Sequence, residues 1–321
     1  MKRLVALFLV LCIALSTIGC GSDVPAAPTP APTATPDPRL GETRIRPADS
    51  AVMVYVPAGE FQMGSDYEET KLALKLCKDY AGSASEAIST CGPSVFSNES
   101  PAHAVALEAF WMDRTETTNG QYRQCVEAGN CDPPVDTGSY TRKTYYGEPV
   151  YDNYPVVWVT QQQAADYCAW AGARLPTEAE WEFAARGPES RIFPWGDTFD
   201  PARLNYCDAQ CPTDMRDLKA NDGFADTAPA GSFPSGVSWC GALNMAGNVR
   251  EWVADWFACY SAGRQENPTG PPSGTSRIPR GGCWLDRPDD ARSANRGENA
   301  PDYTRHKVGF RCAADTGQSG N

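Results

Sequence analysis

The sequence predicts a single α+β domain of low regular secondary structure, and three observations predict it. Short alternating apolar segments lie near the start of the domain. Three helices with capping boxes follow in the middle. The final stretch is rich in Gly, Pro, Asn and Asp and promises long loops. No internal repeat and no second linker interrupts residues 44–315, which read as one domain.

The chain begins with Lys2 and Arg3, then the apolar run Leu4 to Leu15, then Ser16-Thr17-Ile18-Gly19-Cys20. These are the parts of a secretory signal over residues 1–19. The apolar run is too short to span roughly 30 Å of hydrocarbon as a helix. The small residues leading into Cys20 resemble a bacterial lipobox, whose cysteine is acylated and becomes the new N-terminus. More than one acyl chain on Cys20 gives stable anchoring. The expected location is extracytoplasmic, on the cell membrane or the outer membrane. Gly21 is not the Asp that would suggest inner-membrane retention.

Residues 20–43 form a linker. Val24 to Pro38 holds six prolines among Ala and Thr, a composition that stays extended and holds the domain off the membrane. Residues 316–321 read as a disordered tail.

The net charge of −12 argues against nucleic acid or an anionic lipid surface as partner, and is compatible with hard cations. Eleven of the 13 cysteines lie beyond Cys20, so disulfides are expected in an oxidising compartment. The odd number leaves at least one thiol free or paired between chains. With only His103 and His306 present, Cys/His metal clusters are not expected.

Met53 to Gly64 reads as two short strands around the Pro57-Ala58-Gly59 turn, and Ala104 to Met112 as another strand. Thr118 with Gln121, Thr160 with Gln163, and Thr177 with Glu180 are capping boxes that open helices ending near Gly129, Gly172 and Gly187. Beyond Gly187, irregular loops need metals or disulfides to hold them.

The segment Trp170-Ala171-Gly172-Ala173-Arg174-Leu175-Pro176-Thr177-Glu178-Ala179-Glu180-Trp181-Glu182 resembles the sulfatase-modifying factor family, which includes the formylglycine-generating enzymes. Further blocks agree in order: Gly59 to Ser65, Glu99 to His103, Phe193 to Asp197, Asn244 to Trp252, Arg280-Gly281-Gly282, and Val308 to Cys312. The resemblance covers about Met53 to Ala313. It implies the formylglycine-generating-enzyme fold, related to C-type lectin-like folds.

The resemblance also implies two structural calcium sites. The first takes side-chain oxygens from Asn205 and Asp222 and carbonyls from Tyr206 and Phe224. The second takes Asn244, Glu251 and the carbonyls of Gly247 and Val249. Such oxygen sets suit a hard cation. One family disulfide maps onto Cys168 and Cys312. By spacing, Cys207–Cys211 and Cys125–Cys131 are candidate local pairs, and Cys77–Cys91 could close an insertion. Cys240, Cys259 and Cys283 remain, and two of them are expected to pair.

Formylglycine-generating enzymes oxidise a substrate cysteine with Cu(I) held by two cysteines. The position matching the first is Asp286, and the second falls near Ala291. A carboxylate and a methyl group are poor Cu(I) ligands. Cys283, where the family usually has Ser, is the remaining candidate catalytic thiol, and a disulfide with Cys259 or Cys240 is the simpler expectation. Copper is therefore not expected. Two histidines also exclude the three-histidine iron relatives. No Ser/His/Asp arrangement, Walker loop or dinucleotide fingerprint is present.

The leading expectation is a non-catalytic binding or scaffold module. Its groove would lie near Asp286, Asp289, Asp290, Arg292 and Arg296, taking a peptide, a protein or a glycan. The alternative is an oxidase acting on exported sulfatases. Trp195, Trp239, Trp252, Trp256 and Trp284 read mainly as core.

Overall fold

A computed structural model describes residues 37–81, 91–214 and 216–317. The signal, Cys20, most of the proline-rich linker and the end of the tail lie outside the described residues.

Val52–Val56 (β2) and Gly59–Met63 (β3) flank the expected turn. They belong to different sheets. β2 pairs with Thr43–Ile45 (β1) and with Phe110–Asp113 (β5), whereas β3 pairs with His103–Leu107 (β4). The single strand expected over 104–112 is thus two, broken at 108–109. The break faces the Pro57–Ala58 bend, so one long antiparallel ribbon folds across both sheets. Gly59 sits at that bend because a Cβ there would come within 2.8 Å of the Phe183 ring.

The later strands are Arg250–Trp256 (β6), Gln265–Glu266 (β7), Arg277–Arg280 (β8), Val308–Phe310 (β9) and Ala313–Asp315 (β10). The sheets among the described residues run β1-β2-β5-β10, β3-β4-β7 and β8-β6-β9. Irregular backbone dominates between Gly187 and Arg250, as the Gly/Pro/Asn/Asp content requires.

All three capping boxes form. Asn119–Glu127 (α2), Gln161–Trp170 (α3) and Glu178–Arg186 (α4) each begin after a Thr whose side chain accepts from the backbone three residues on. A further helix, Tyr67–Ala81 (α1), was not expected. Ala73 and Cys77, one turn apart, bury against Cys91 and Phe96.

Every residue of α4 is buried. Trp181 and Phe183 meet Val54, Val56, Phe61, Val105, Phe110 and Val253 in the main core. The acidic residues of the same helix are matched from outside. Glu178 takes both nitrogens of the Arg296 fork at 2.6 and 2.8 Å, and Glu182 pairs with Arg280 at 2.5 Å and Arg186 at 2.9 Å. Burying such charges is tolerable because each lone pair finds a donor.

The pairs Cys168–Cys312, Cys125–Cys131, Cys207–Cys211 and Cys77–Cys91 are disulfide-bonded. Cys168–Cys312 pins α3 to the end of β9 inside a second core of Tyr122, Tyr167, Trp252 and Phe310. The last expected pair does not form: Cys240, Cys259 and Cys283 are all unpaired. Their surroundings separate them. Cys240 lies against the Ala184 carbonyl, Cys259 is exposed beside a cleft bordered by Arg296, and Cys283 is buried in the loop after β8.

Candidate functional site

The loop after β8 turns at Gly281 and Gly282, both with positive φ. A Cβ on Gly281 would lie 2.9 Å from the Trp181 ring, and one on Gly282 the same distance from the Asp290 carbonyl. Only glycines let this loop fold back so tightly. The turn delivers Cys283, Trp284, Asp286 and Asp290 to the mouth of β6.

There Arg250 reaches out from the start of β6. Its guanidinium donates to Asp286 at 2.6 Å and lies 3.3 Å from Asp290, with Lys307 a further 3.8 Å from Asp286. Burial would raise the Asp286 carboxyl, but Arg250 and Lys307 hold it below the ordinary carboxylate range. Burial and the Asp286 charge push the Cys283 thiol well above its ordinary value. Ala291, at the other position of interest, is buried and apolar. The cluster is a closed ion network around one protonated thiol, and among the described residues the other two free thiols, Cys240 and Cys259, are not part of it.

The five residues expected to share a groove do not line one surface. Asp289, Arg292 and Arg296 are buried. Arg292 donates both fork nitrogens to Glu99 at 2.7 and 2.8 Å, and Arg296 does the same to Glu178. A guanidinium with both prongs spent on a buried carboxylate is structural. Asp289 accepts from Arg287 at 3.1 Å, and burial with the neighbouring Asp290 pushes it up to about 6. Only Asp286 and Asp290 retain partial exposure.

An aromatic cluster packs beside this network, and it was missed in the sequence. Tyr140 packs on Trp284 at 5.4 Å between ring centroids and on His306 at 4.9 Å; Trp158 meets His306 at 5.7 Å. Four separate segments contribute, so no local spacing signals it. Of the other tryptophans singled out, Trp252 is core, while Trp195, Trp239 and Trp256 are partly buried. His103 is buried against Tyr260, in a structural position.

The remaining candidates lie in the oxygen-rich loops between Asn205 and Glu251. Asn205 and Asp222 each carry a buried side-chain oxygen without a hydrogen-bond partner, Oδ1 and Oδ2 respectively. Burial, with Asp208 nearby, pushes the Asp222 carboxyl up to about 7. Gly247 lies so close to the Asn205 carbonyl that a Cβ would come within 2.2 Å of it. Asn244 likewise has a buried, unpartnered Oδ1.

Glu251 is more committed: it accepts from Trp181 at 2.8 Å and from Arg311 at 2.6 and 2.7 Å. The carboxylate that faces Asn244 and Asn248 is instead Glu116, at 3.1 and 2.8 Å, and burial pushes it up to about 7. Glu116 was not among the residues singled out in the sequence; it lies two positions before the Thr118 helix cap.

Fold and site together define a formylglycine-generating-enzyme-like domain, with the Arg250–Asp286 ion pair and the buried Ala291 in the loop after β8. The profile of the sulfatase-modifying factor enzyme 1-like domain matches residues 40–316. Formylglycine-generating enzyme of Bos taurus is 31% identical over 84% of this chain and 76% of its own length. The inactive C-alpha-formylglycine-generating enzyme 2 of Mus musculus is 29% identical over 88% of this chain and 90% of its own. Among solved structures, PvdO from Pseudomonas aeruginosa superposes with a TM-score of 0.65 at 26% identity, covering 86% of this chain and 98% of that one. The chain belongs to the sulfatase-modifying factor family.

Proposed function

We propose that this chain is a cell-envelope lipoprotein whose domain binds a ligand rather than oxidising one. The observation that carries this is the Arg250–Asp286 ion pair standing where a Cu(I) thiolate would be needed, with Cys283 alone and protonated beside it. Cu(I) prefers soft thiolates, and one thiol gives it no low-coordinate pair. A fold persists readily while its site is exchanged. That a relative of similar length is described as inactive agrees with this reading.

Anaerobic Cu(I) titration tests it, followed by incubation with a cysteine peptide carrying a Cys-x-Pro-x-Arg core. Weak, non-stoichiometric copper and an unchanged peptide thiol are expected. Tight one-to-one copper with loss of the thiol establishes the oxidase instead.

Calcium belongs to the proposal as a structural ion. The unpartnered Asn205 and Asp222 oxygens fit the first site, with the Tyr206 and Phe224 carbonyls completing an oxygen set. For the second, Asn244 supplies a free oxygen, and Gly247 and Val249 supply carbonyls. Glu251, already accepting three bonds, has about one lone pair left for a metal. Glu116, which accepts from the Asn244 and Asn248 amides, provides the nearby carboxylate. Export and acylation at Cys20 follow from the signal and are tested by lipid labelling of the wild type against Cys20→Ser.

A further inference from the structure

We infer that the cavity walled by Arg277 and Ala169 is a binding site for a monocarboxylate with an apolar body. It shares no residue with the Arg250–Asp286 network.

The cavity holds about 660 Å³, within the range of about 300–1,000 Å³ usual for small-ligand sites. Small residues build one wall. Ala165 and Ala169 stand one turn apart on α3, Ala173 follows just past its end, and Leu175 and Phe110 complete the apolar side. The polar side carries Arg277, Asn267 and Thr177.

Arg277 differs from the buried arginines of the domain, which are spent on carboxylates: Arg280 on Glu182, Arg292 on Glu99, Arg296 on Glu178 and Arg311 on Glu251. The half-buried Arg277 makes no ion pair among the described residues. Two contacts fix it and leave its charge unmatched. Its guanidinium lies 3.5 Å from the centre of the Trp256 ring, and its Nη1 donates to the Ala254 carbonyl at 2.6 Å. Nε is sealed inside, whereas Nη2 stays open and donates to no described residue. Burial lowers the guanidinium from its ordinary value, and Asp255 works against this. Asp255 is no ion-pair partner: it accepts the Glu178 N–H at 2.8 Å, and burial pushes its carboxyl up to about 7. A charge drawn out of water without a partner is costly, and a guanidinium fork suits a carboxylate.

Two neighbours add donors. Asn267 uses its side-chain oxygen on the Glu108 N–H at 2.8 Å, and its amide N–H groups donate to no described residue. The Thr177 hydroxyl accepts from the Glu180 N–H at 3.1 Å, and its own proton remains to give.

The other charges of the lining limit the ligand. Arg174 spends its fork on Glu180, at 2.7 Å to each oxygen, and reaches Asp315 at 2.7 Å. Glu108 is exposed and has no ion pair among the described residues. One carboxylate satisfies Arg277, whereas a second negative charge in the same cavity would meet Glu108 with nothing to offset it. An apolar body then covers the alanine wall.

Calorimetric titration of the intact protein with octanoate, with octanol and with N-acetyl-leucyl-leucine tests this. One-to-one binding of a carboxylate, at least about tenfold tighter than octanol, is expected. Octanoate alone assigns the site to a fatty acid; the peptide alone assigns it to a peptide C-terminus. Arg277→Gln should abolish the preference over octanol. Ala169 is exposed, so Ala169→Trp leaves the core intact while filling the apolar wall, and it should weaken binding at least about tenfold. Should Arg277→Gln fail to fold, Ala169→Trp and the octanol comparison still decide. No binding of either carboxylate, octanol binding as tightly, or wild-type affinity in Ala169→Trp overturns the inference. The copper titration is read separately, since the two sites share no residue.

Discussion

Arg250 and Asp286 face each other across 2.6 Å, and the pair decides what the loop after β8 can do. Arg250 also lies against Asp290, so its removal takes the nearest cation from two part-buried carboxylates and leaves Asp286 only the more distant Lys307. Breaking one partner of such a pair costs about 3 kcal/mol or more. Arg250→Ala is expected to lose about that much in urea denaturation. Adding Asp286→Asn should recover part of the loss, because one stranded charge is then gone. Equal stability of Arg250→Ala and the wild type would mean the network contributes nothing.

The three unpaired thiols should differ sharply in access. Cys259 is exposed, whereas Cys240 and Cys283 are buried and burial raises both thiols. Thiolate is the reactive form. One equivalent of maleimide is therefore expected to label the folded domain at neutral pH, on Cys259, and three after denaturation. Peptide mapping reads the sites directly, and rapid labelling of Cys283 contradicts its placement.

Calcium and protons should compete at Asp222. Its carboxyl is pushed up to about 7 by burial, above its ordinary value of 3.8. The metal-free folded state thus binds a proton more tightly than the unfolded chain does. Its stability falls as pH rises from about 4 towards 7. A cation needs the ionised form, so calcium should restore the lost stability and do so increasingly with pH. The rise in thermal midpoint on adding calcium to chelated protein is expected to be larger at about pH 8 than at about pH 5.5. Asp222→Asn should reduce that dependence. A calcium effect independent of pH would remove Asp222 from the site.

The disulfides should matter in proportion to the chain they close. Cys168–Cys312 spans 144 residues and Cys125–Cys131 spans 6. Loop entropy assigns roughly 5 kcal/mol to the first and roughly 2 to the second. Double-serine variants compared by denaturant midpoint should follow that order. The reverse order would show that packing around Cys168, not loop closure, sets the effect.

Much of the fold was legible locally. The capping boxes at Thr118, Thr160 and Thr177 are settled by bonds three residues apart, and each formed as read. Short-range cysteine pairs were readable for the same reason. The reading that Asp286, and a position near Ala291, stand where the family resemblance expects copper-binding cysteines rests on residue identity alone. Asn205 and Asp222 entered as calcium candidates only through the family resemblance, and in the structure both carry unpartnered oxygens.

Other features depend on partners far away in the chain. Residues 104–112 look like one strand, but their pairing with two sections of a bent ribbon divides them. Arg292 and Arg296 look like surface charges until Glu99 and Glu178, over a hundred positions away, enclose them. Glu251 looks available for a metal until Arg311 and Trp181 claim it. The aromatic cluster draws Tyr140, Trp158, Trp284 and His306 from separate segments. Residue identity reports which groups can bond; burial and long-range packing decide which of them remain unpaired, and those are the groups left to bind.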